Sequence, residues 1–560
     1  MTHDKRGEIN MQLLIDYVEK VLETQKDPDG TTPLLADAIN PHTGELFRWR
    51  NEGGDSFIVS NFANQQNFMR LLTGLSHLTE EKKYKDIAVE ITKYMMAHYM
   101  GSDGLLYWGG HSCVDLETKK TTGPYDKGMV HELKNCLPYY DLMFEADAEK
   151  AKAFIEAFWS AHIYNWEEME VGRHGIREDK PKAYPFSHSF VEKEPHREST
   201  GLSFMNAGND LIYAASKYYQ YTQDERAYAW GEFLARQYVK ARDPITKLGA
   251  YQFTQKVQSI DPSIEGIPDS DSRSIYGDRA KRQFGHRFPN ALESRMLLRY
   301  IPKSIYSINT LLQLQIYSDL GMSAKHYEEW SMEAIYAFIK YLYQPEENTV
   351  KPMITDGTDL SEYILEKDGY YGKKGDTLQP AQLTPDYLVA FCKAYEMVQQ
   401  DPNLSREDKE ILWETIRSMM KGLDLGDIGE YESEQVQVNL QTTQYEATAL
   451  LAILDLYKTT KNTEFLELGK VVGNNMVEHY YNHGYFSHNK NCLYADLNRI
   501  EPLALLALEA ALQGKEALIP PFVNGKGYID GGYQLCNGEI VSTATSTLYE
   551  ISDEEQLKKR

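Results

Sequence analysis

Apolar residues recur along most of the chain at intervals of three and four, the period that places them on one side of a helix. In "NFMRLLTGLSHL" the residues Phe68, Met69, Leu71, Leu72, Leu75 and Leu78 share such a face. "EATALLAILDLY" (446–457) is apolar nearly all round, as expected for a helix covered on both sides. The pattern predicts helices near 12–25, 57–78, 82–99, 129–145, 147–166, 201–221, 224–241, 297–320, 324–344, 380–400, 405–423, 443–459, 462–481 and 501–513. Most are joined by short connections, which make neighbours antiparallel. About fourteen helices in seven hairpins closed into a ring give an all-α dominated α/α toroid, (α/α)7, as the predicted fold, with 1–560 as one domain.

Alternation with period two is scarce. "YQLCNGEIVST" (533–543) predicts a β-hairpin around a two-residue Asn537-Gly538 turn, and "EQVQVNL" (434–440) a short strand. Region 242–296 is rich in Pro, Gly, Asp and Arg and lacks a helical period, so it is expected to be a long irregular insertion. Three loops combine glycine with aromatics after a predicted helix: "GSDGLLYWGGH", "KDGYYGKKG" and "NHGYFSHN". In a toroid such loops can line the cleft, although glycine ends helices for purely local reasons as well.

The net charge of −24 argues against nucleic acid or an anionic membrane as a partner. A small anionic substrate remains compatible if positive charge is gathered in one cleft. The 40 tyrosines fit sugar stacking and core packing equally well. Five scattered cysteines with no C-x-x-C pair point away from a disulfide framework. With an N-terminus that lacks a signal-like apolar core and no long apolar run, they lead to the expectation of a cytoplasmic protein without a membrane span, or a periplasmic one if a leader has been removed.

Chemistry is concentrated in three places. His111 follows "LYWGG" in a loop, Glu132 lies in "HELKNCLPYYD" near an expected helix start, and His174 follows Arg173 in "EVGRHGIRE". Two imidazoles and a carboxylate from separate elements could hold a transition metal with positions open to water and substrate. Most of the 15 histidines must be structural, and His131 competes with Glu132 as a ligand. Gly172 and Gly175 bracket Arg173 and His174, either as a plain helix stop or to turn both side chains into one site.

"LYWGGHSCVDLET", "KGMVHELKNCLPYYDLM" and "EVGRHGIRE" together resemble the family 2 polysaccharide lyases, the pectate lyases that use a transition metal. The spacing agrees: 21 residues separate His111 from Glu132, and 41 and 42 separate Glu132 from Arg173 and His174. The motifs span about 105–178, and the helical pattern of nearly the whole chain suits the family's α/α toroid. The resemblance implies that His111, Glu132 and His174 bind the metal, with manganese first and cobalt or nickel as alternatives, and that Arg173 is the Brønsted base. It implies an anionic galacturonan as substrate, cut by β-elimination to 4,5-unsaturated products, with exolytic disaccharide release slightly favoured over endolytic action. Trp108, Lys127, Arg177, Arg279, Arg282 and Arg287 are the candidate substrate contacts, the last three from "YGDRAKRQFGHRFP" (276–289), which is also readable as a solvated charge run. Arginine is an unusual base because its guanidinium normally stays protonated, so alkaline conditions are expected to favour turnover. The same fork could simply grip a carboxylate.

Two other functions fit parts of this pattern. A toroidal glycoside hydrolase could recruit Asp126, Glu132 or Glu446 as paired carboxylates, with an epimerase as a weaker variant. A non-enzymatic carbohydrate-binding protein would use the aromatic and basic residues without a metal.

Overall fold

The computed structural model describes residues 11–124, 130–167, 169–180, 183–195, 203–253, 278–399, 401–433 and 435–559. Among the described residues seven helix hairpins form the ring, one of them the two legs of a single kinked helix. The helices, in chain order, are α1 (Met11–Thr24), α2 (Gln66–Thr79), α3 (Lys82–His98), α4 (Tyr140–His162), α5 (Met205–Thr222), α6 (Glu225–Lys240), α7 (Thr310–Leu320), α8 (Lys325–Ala337), α9 (Pro385–Gln399), α10 (Arg406–Gly422), α11 (Ala447–Thr460), α12 (Glu464–Tyr480) and α13 (Glu501–Leu512). Helices α2, α5, α7, α9, α11 and α13 form the inner wall, each packed against its inner neighbour except across the α2–α5 gap. That gap is filled by 135–139 and the first leg of α4, which breaks at Asp147 (φ −162°) and turns back as an outer helix. Helix α1 packs outside α13 and completes the seventh pair.

The tight inner-to-outer turns have a shared device. Helices α2, α5 and α11 each end on a left-handed residue, Glu80 (φ 62°), Gln223 (φ 60°) and Lys461 (φ 58°), and the outer helix begins within three residues. Asp224 caps α6 by accepting from the Arg226 N–H, and Ser405 caps α10 by accepting from the Asp408 N–H. The largest apolar cluster runs from Leu14 to Val523 and draws on every helix of the ring.

Two predicted helices differ. Residues 57–61 are not helical, and Phe62–Gln65 is a 3-10 turn that leads into α2: Ser56–Ser60 is a strand between Arg48–Arg50 and Cys113–Asp115, because Phe57, Ile58 and Val59 are buried on both faces and a short apolar run carries no period. The stretch 130–139 is extended and irregular, since Pro138 bars a helix before it and Leu137 has φ 47°. The C-terminal hairpin pairs Asp530–Gln534 with Ile540–Ala544. Its loop has three residues rather than two, Cys536 to Gly538, with Gly538 at φ 88° and its N–H on the Leu535 carbonyl. Within 242–296, the described flanks form a strand pair (Gln252–Phe253 with Ser203–Phe204) and a short helix (Arg279–Phe284), while 254–277 lie outside the described residues. Among the described residues no helix is long and apolar enough to cross a membrane.

Antiparallel pairing makes all inner helices run the same way, so their N-termini, beginning at Gln66, Met205, Pro385, Ala447 and Glu501, collect at one end of the ring. Each contributes partial positive charge there. Loops from 101–124, 130–135, 163–167, 169–178 and 523–530 meet at this end.

Candidate metal centre

A three-segment backbone ladder brings the predicted ligands together. Glu132 pairs alongside Gly109, with the Gly110 N–H donating to the Glu132 carbonyl at 2.9 Å. On the other side His131 and Gly175 exchange hydrogen bonds, 2.7 Å from the Gly175 N–H and 3.4 Å back. Glu132 is part of this ladder, His111 follows Gly110 and His174 precedes Gly175, and one possible ligand atom from each lies within 4.8 Å of the others. Nε2 of His111 is 2.8 Å from Glu132 Oε2 and 3.3 Å from His174 Nε2, and His174 Nε2 is 3.6 Å from Glu132 Oε1. Arg173 is half-exposed, with Nε 3.5 Å from Glu132 Oε1.

The donor set fits a divalent transition metal. Glu132 is fully buried, yet neither carboxylate oxygen has a donor in line with it. Such a group is costly to bury unless something cationic satisfies it. Burial opposes its ionisation, but His111 and Lys134 outweigh burial and hold the carboxyl well below its usual range. At His111 burial again opposes charge, while Asp530 and Glu132 push the imidazole up to about 9. Burial lowers His174 despite the pull of Glu132. Two imidazoles and one carboxylate around a common space suit manganese, cobalt or nickel better than calcium, which takes all-oxygen shells.

Beneath the ligands lies a chain of neutral histidines. Trp108 Nε1 can only donate, and it donates to His131 Nε2 at 3.0 Å. His131 Nδ1 must then donate to His162 Nε2 (2.9 Å), and His162 Nδ1 to the Gly172 carbonyl (2.8 Å). Burial drives His131 well below its ordinary pKa and His162 down to about 4, so both stay uncharged. His131 is therefore turned away from the metal space, and the relay holds the loop that carries Arg173 and His174. Gly172 and Gly175 are not helix-stop residues: α4 already ends at His162, and neither glycine has positive φ. They permit close approach, since a Cβ on Gly175 would lie 2.6 Å from His162 Nε2 and one on Gly172 would overlap the Tyr164 ring.

The expected substrate contacts divide. Trp108 is fully buried, stacked on Phe62 and engaged with His131, so it does not face a cleft. Arg177 is largely buried over the Tyr107 ring and donates to Asp103 and to the Leu105 and Leu106 carbonyls, so its donors hold the 101–107 loop. Lys127 and Asp126 lie outside the described residues. Arg279 is paired with Glu293 and stacked on Tyr370 in an aromatic pocket with Tyr251, Tyr300 and Tyr371. Arg282 and Arg287 are exposed on and after the same short helix.

Sequence reasoning missed several groups. Lys134 lies 3.0 Å from Glu132 Oε1 and over the Tyr528 ring, and its place two residues after Glu132 was the available signal. Asp530 approaches His111 from the C-terminal hairpin. Lys303 lies 2.8 Å from Asp386 at the start of α9, and Lys526 enters the same mouth, where surrounding walls and then Lys303 lower its ammonium's pKa although solvent reaches it.

If Trp108 serves the relay, Trp108→Phe removes the donor to His131. We expect a stability loss of about 1–3 kcal/mol, read as a lower Tm, together with weakened metal binding. A large rise in KM at unchanged Tm and metal affinity would instead make Trp108 a substrate contact.

Comparison with known proteins gives the lineage. A family model described as periplasmic pectate lyase matches residues 32–532. The pectate disaccharide-lyase of Dickeya dadantii (strain 3937) is 34% identical over 538 residues, covering 93% of this chain and 92% of that protein. Solved structures give distant likenesses only. A GH76 alpha-mannanase from Bacteroides thetaiotaomicron has TM-score 0.41 and 9% identity, covering 90% of this chain and 96% of its own. Cellobiose 2-epimerase from Bacillus thermoamylovorans B4167 has TM-score 0.40 and 9% identity, covering 90% and 99%. Neither bears on activity. The family's description names the periplasm and lends the cytoplasmic expectation no support. Matched over nearly its whole length, the chain belongs to the family of periplasmic pectate lyases.

Proposed function

We propose that this protein is a metal-assisted pectate lyase that removes unsaturated disaccharides from the ends of α-1,4-linked galacturonan by β-elimination. The observation that carries the reading is the meeting of His111, Glu132 and His174 around one space with Arg173 beside it. The name of the Dickeya relative supports disaccharide release.

The C5 proton of a galacturonate is hard to remove because the adjacent carboxylate resists further negative charge. A divalent cation, with manganese the first choice, would act as a Lewis acid on that carboxylate and stabilise the developing enolate. His111, Glu132 and His174 would hold it, leaving positions for substrate oxygen. Arg173, tethered through Nε near Glu132, keeps its terminal nitrogens for the substrate, where its neutral guanidine form, having first given a proton to solvent, accepts the C5 proton. The C4–O4 bond then breaks, its electron pair leaves with O4, which takes a proton from solvent, and the new 4,5 double bond stays on the sugar that lost its C5 proton. Lys303 and Lys526 at the inner-helix N-termini, with Arg279 in its tyrosine pocket, would receive further carboxylates. This local gathering of cations lets an acidic protein bind a polyanion.

The hydrolase alternative loses a member, because Glu132 is committed to His111 and Lys134. A cytoplasmic setting rests on the cysteines alone: all five are free thiols and four are buried, a state that a reducing compartment preserves.

Polygalacturonate mixed with the enzyme at alkaline pH should gain ultraviolet absorbance, stop with chelator and resume with manganese, and the products should be mainly unsaturated disaccharide from the start. A flat trace from folded protein would overturn the lyase reading, and early mixed-length oligomers would overturn exolytic release. Arg173→Ala should cut kcat by about 100-fold or more while metal stays bound, in line with loss of a general base. His111→Ala and His174→Ala should lose metal and turnover together. Normal turnover in Arg173→Ala would remove it from the reaction.

A further inference from the structure

We propose that Asp530 is a positioning residue of the metal centre. It accepts the Nδ1 proton of His111, which fixes the tautomer and ring orientation that present Nε2 to Glu132 and His174. The proposal rests on the reading of that cluster as a metal site.

Asp530 Oδ1 lies 2.9 Å from His111 Nδ1, while His111 Nε2 lies on the ligand side, 2.8 Å from Glu132 Oε2. An imidazole with a carboxylate behind one nitrogen and a cation site before the other is the arrangement that sets which nitrogen keeps the proton. The Nδ1 hydrogen is not in line with the oxygen, so the contact stands as a 2.9 Å ion-pair distance, which we read as the hydrogen bond formed when Nε2 faces a cation. The two residues are held in register by backbone. The Asp530 N–H donates to the Gly110 carbonyl at 2.9 Å, one residue before His111. Asn61 clamps the same two segments, its Nδ2 donating at 3.1 Å to the carbonyls of both Gly109 and Tyr528. Asp530 opens the strand Asp530–Gln534, whose five-residue pairing with Ile540–Ala544 anchors it from outside the ring. Its other oxygen is 4.0 Å from Lys134, too far for a strong competing bond. The C-terminal hairpin thus reaches a centre whose ligands all lie between 111 and 174.

The alternative is a charge that merely adds negative potential. Two substitutions separate the roles: Asp530→Asn keeps an acceptor oxygen and removes the charge, whereas Asp530→Ala removes both. The strand bonds of residue 530 are backbone and survive either change. Manganese binding to the full chain is followed by electron paramagnetic resonance, with Tm as the check on folding. Asp530→Ala is expected to weaken binding about 10- to 100-fold, and Asp530→Asn to recover most of that loss. Should the alanine variant not fold, Asp530→Leu, which fills the volume without an acceptor, takes its place. Wild-type affinity in the variant without an acceptor would overturn the proposal. So would an asparagine variant as weak as alanine, which would assign the effect to charge alone. Absence of binding in wild type would instead sink the metal-site reading itself.

Discussion

The short ladder at residues 131–132 is the constraint on which the site depends. Its hydrogen bonds to Gly110 on one side and Gly175 on the other leave Glu132, His111 and His174 no choice but to converge. The consequence is a fully buried carboxylate with no in-line donor, 3.0 Å from a lysine and 2.8 Å from an imidazole. Breaking such a buried set from one side is expensive, so the arrangement is understandable where a bound cation completes it. The neutral relay from Trp108 through His131 and His162 to Gly172 adds stiffness without adding competing charge.

The ring supplies what the ladder cannot. Because hairpin pairing makes the inner helices parallel, their positive ends collect where the ladder sits. Lys134, Lys303, Lys526 and Arg173 stand at the same end, interleaved with Glu132, Asp386, Glu446 and Asp530, so a chain with net charge −24 still places several cations there. Net charge describes the whole surface, whereas binding depends on the local field.

Most helices were legible because a long 3.6-residue period survives any tertiary context; α10, expected at 405–423, forms at 406–422. The period misled where runs were short. Phe57-Ile58-Val59 reads as helix or buried strand alike, and Pro138 outweighed the apolar pattern around it. The convergence of His111, Glu132 and His174 was legible because the three lie within a short span of sequence and resemble a known motif, and the structure brings them around one space that could hold a metal. Trp108 and Arg177 shared that span but turn inward, a matter of side-chain direction that sequence proximity does not encode. Lys526 and Asp530 come from the far end of the chain and carry no local signature.

The most direct test of the account is the stoichiometry and affinity of manganese binding to wild type and to Glu132→Gln, a change that removes the buried charge and little volume. The account predicts one ion per wild-type chain and at least a 100-fold loss of affinity in the variant, about 2.7 kcal/mol or more. Equal affinity in the two proteins would show that the ion binds elsewhere, and would contradict the central role given to the ladder and its carboxylate.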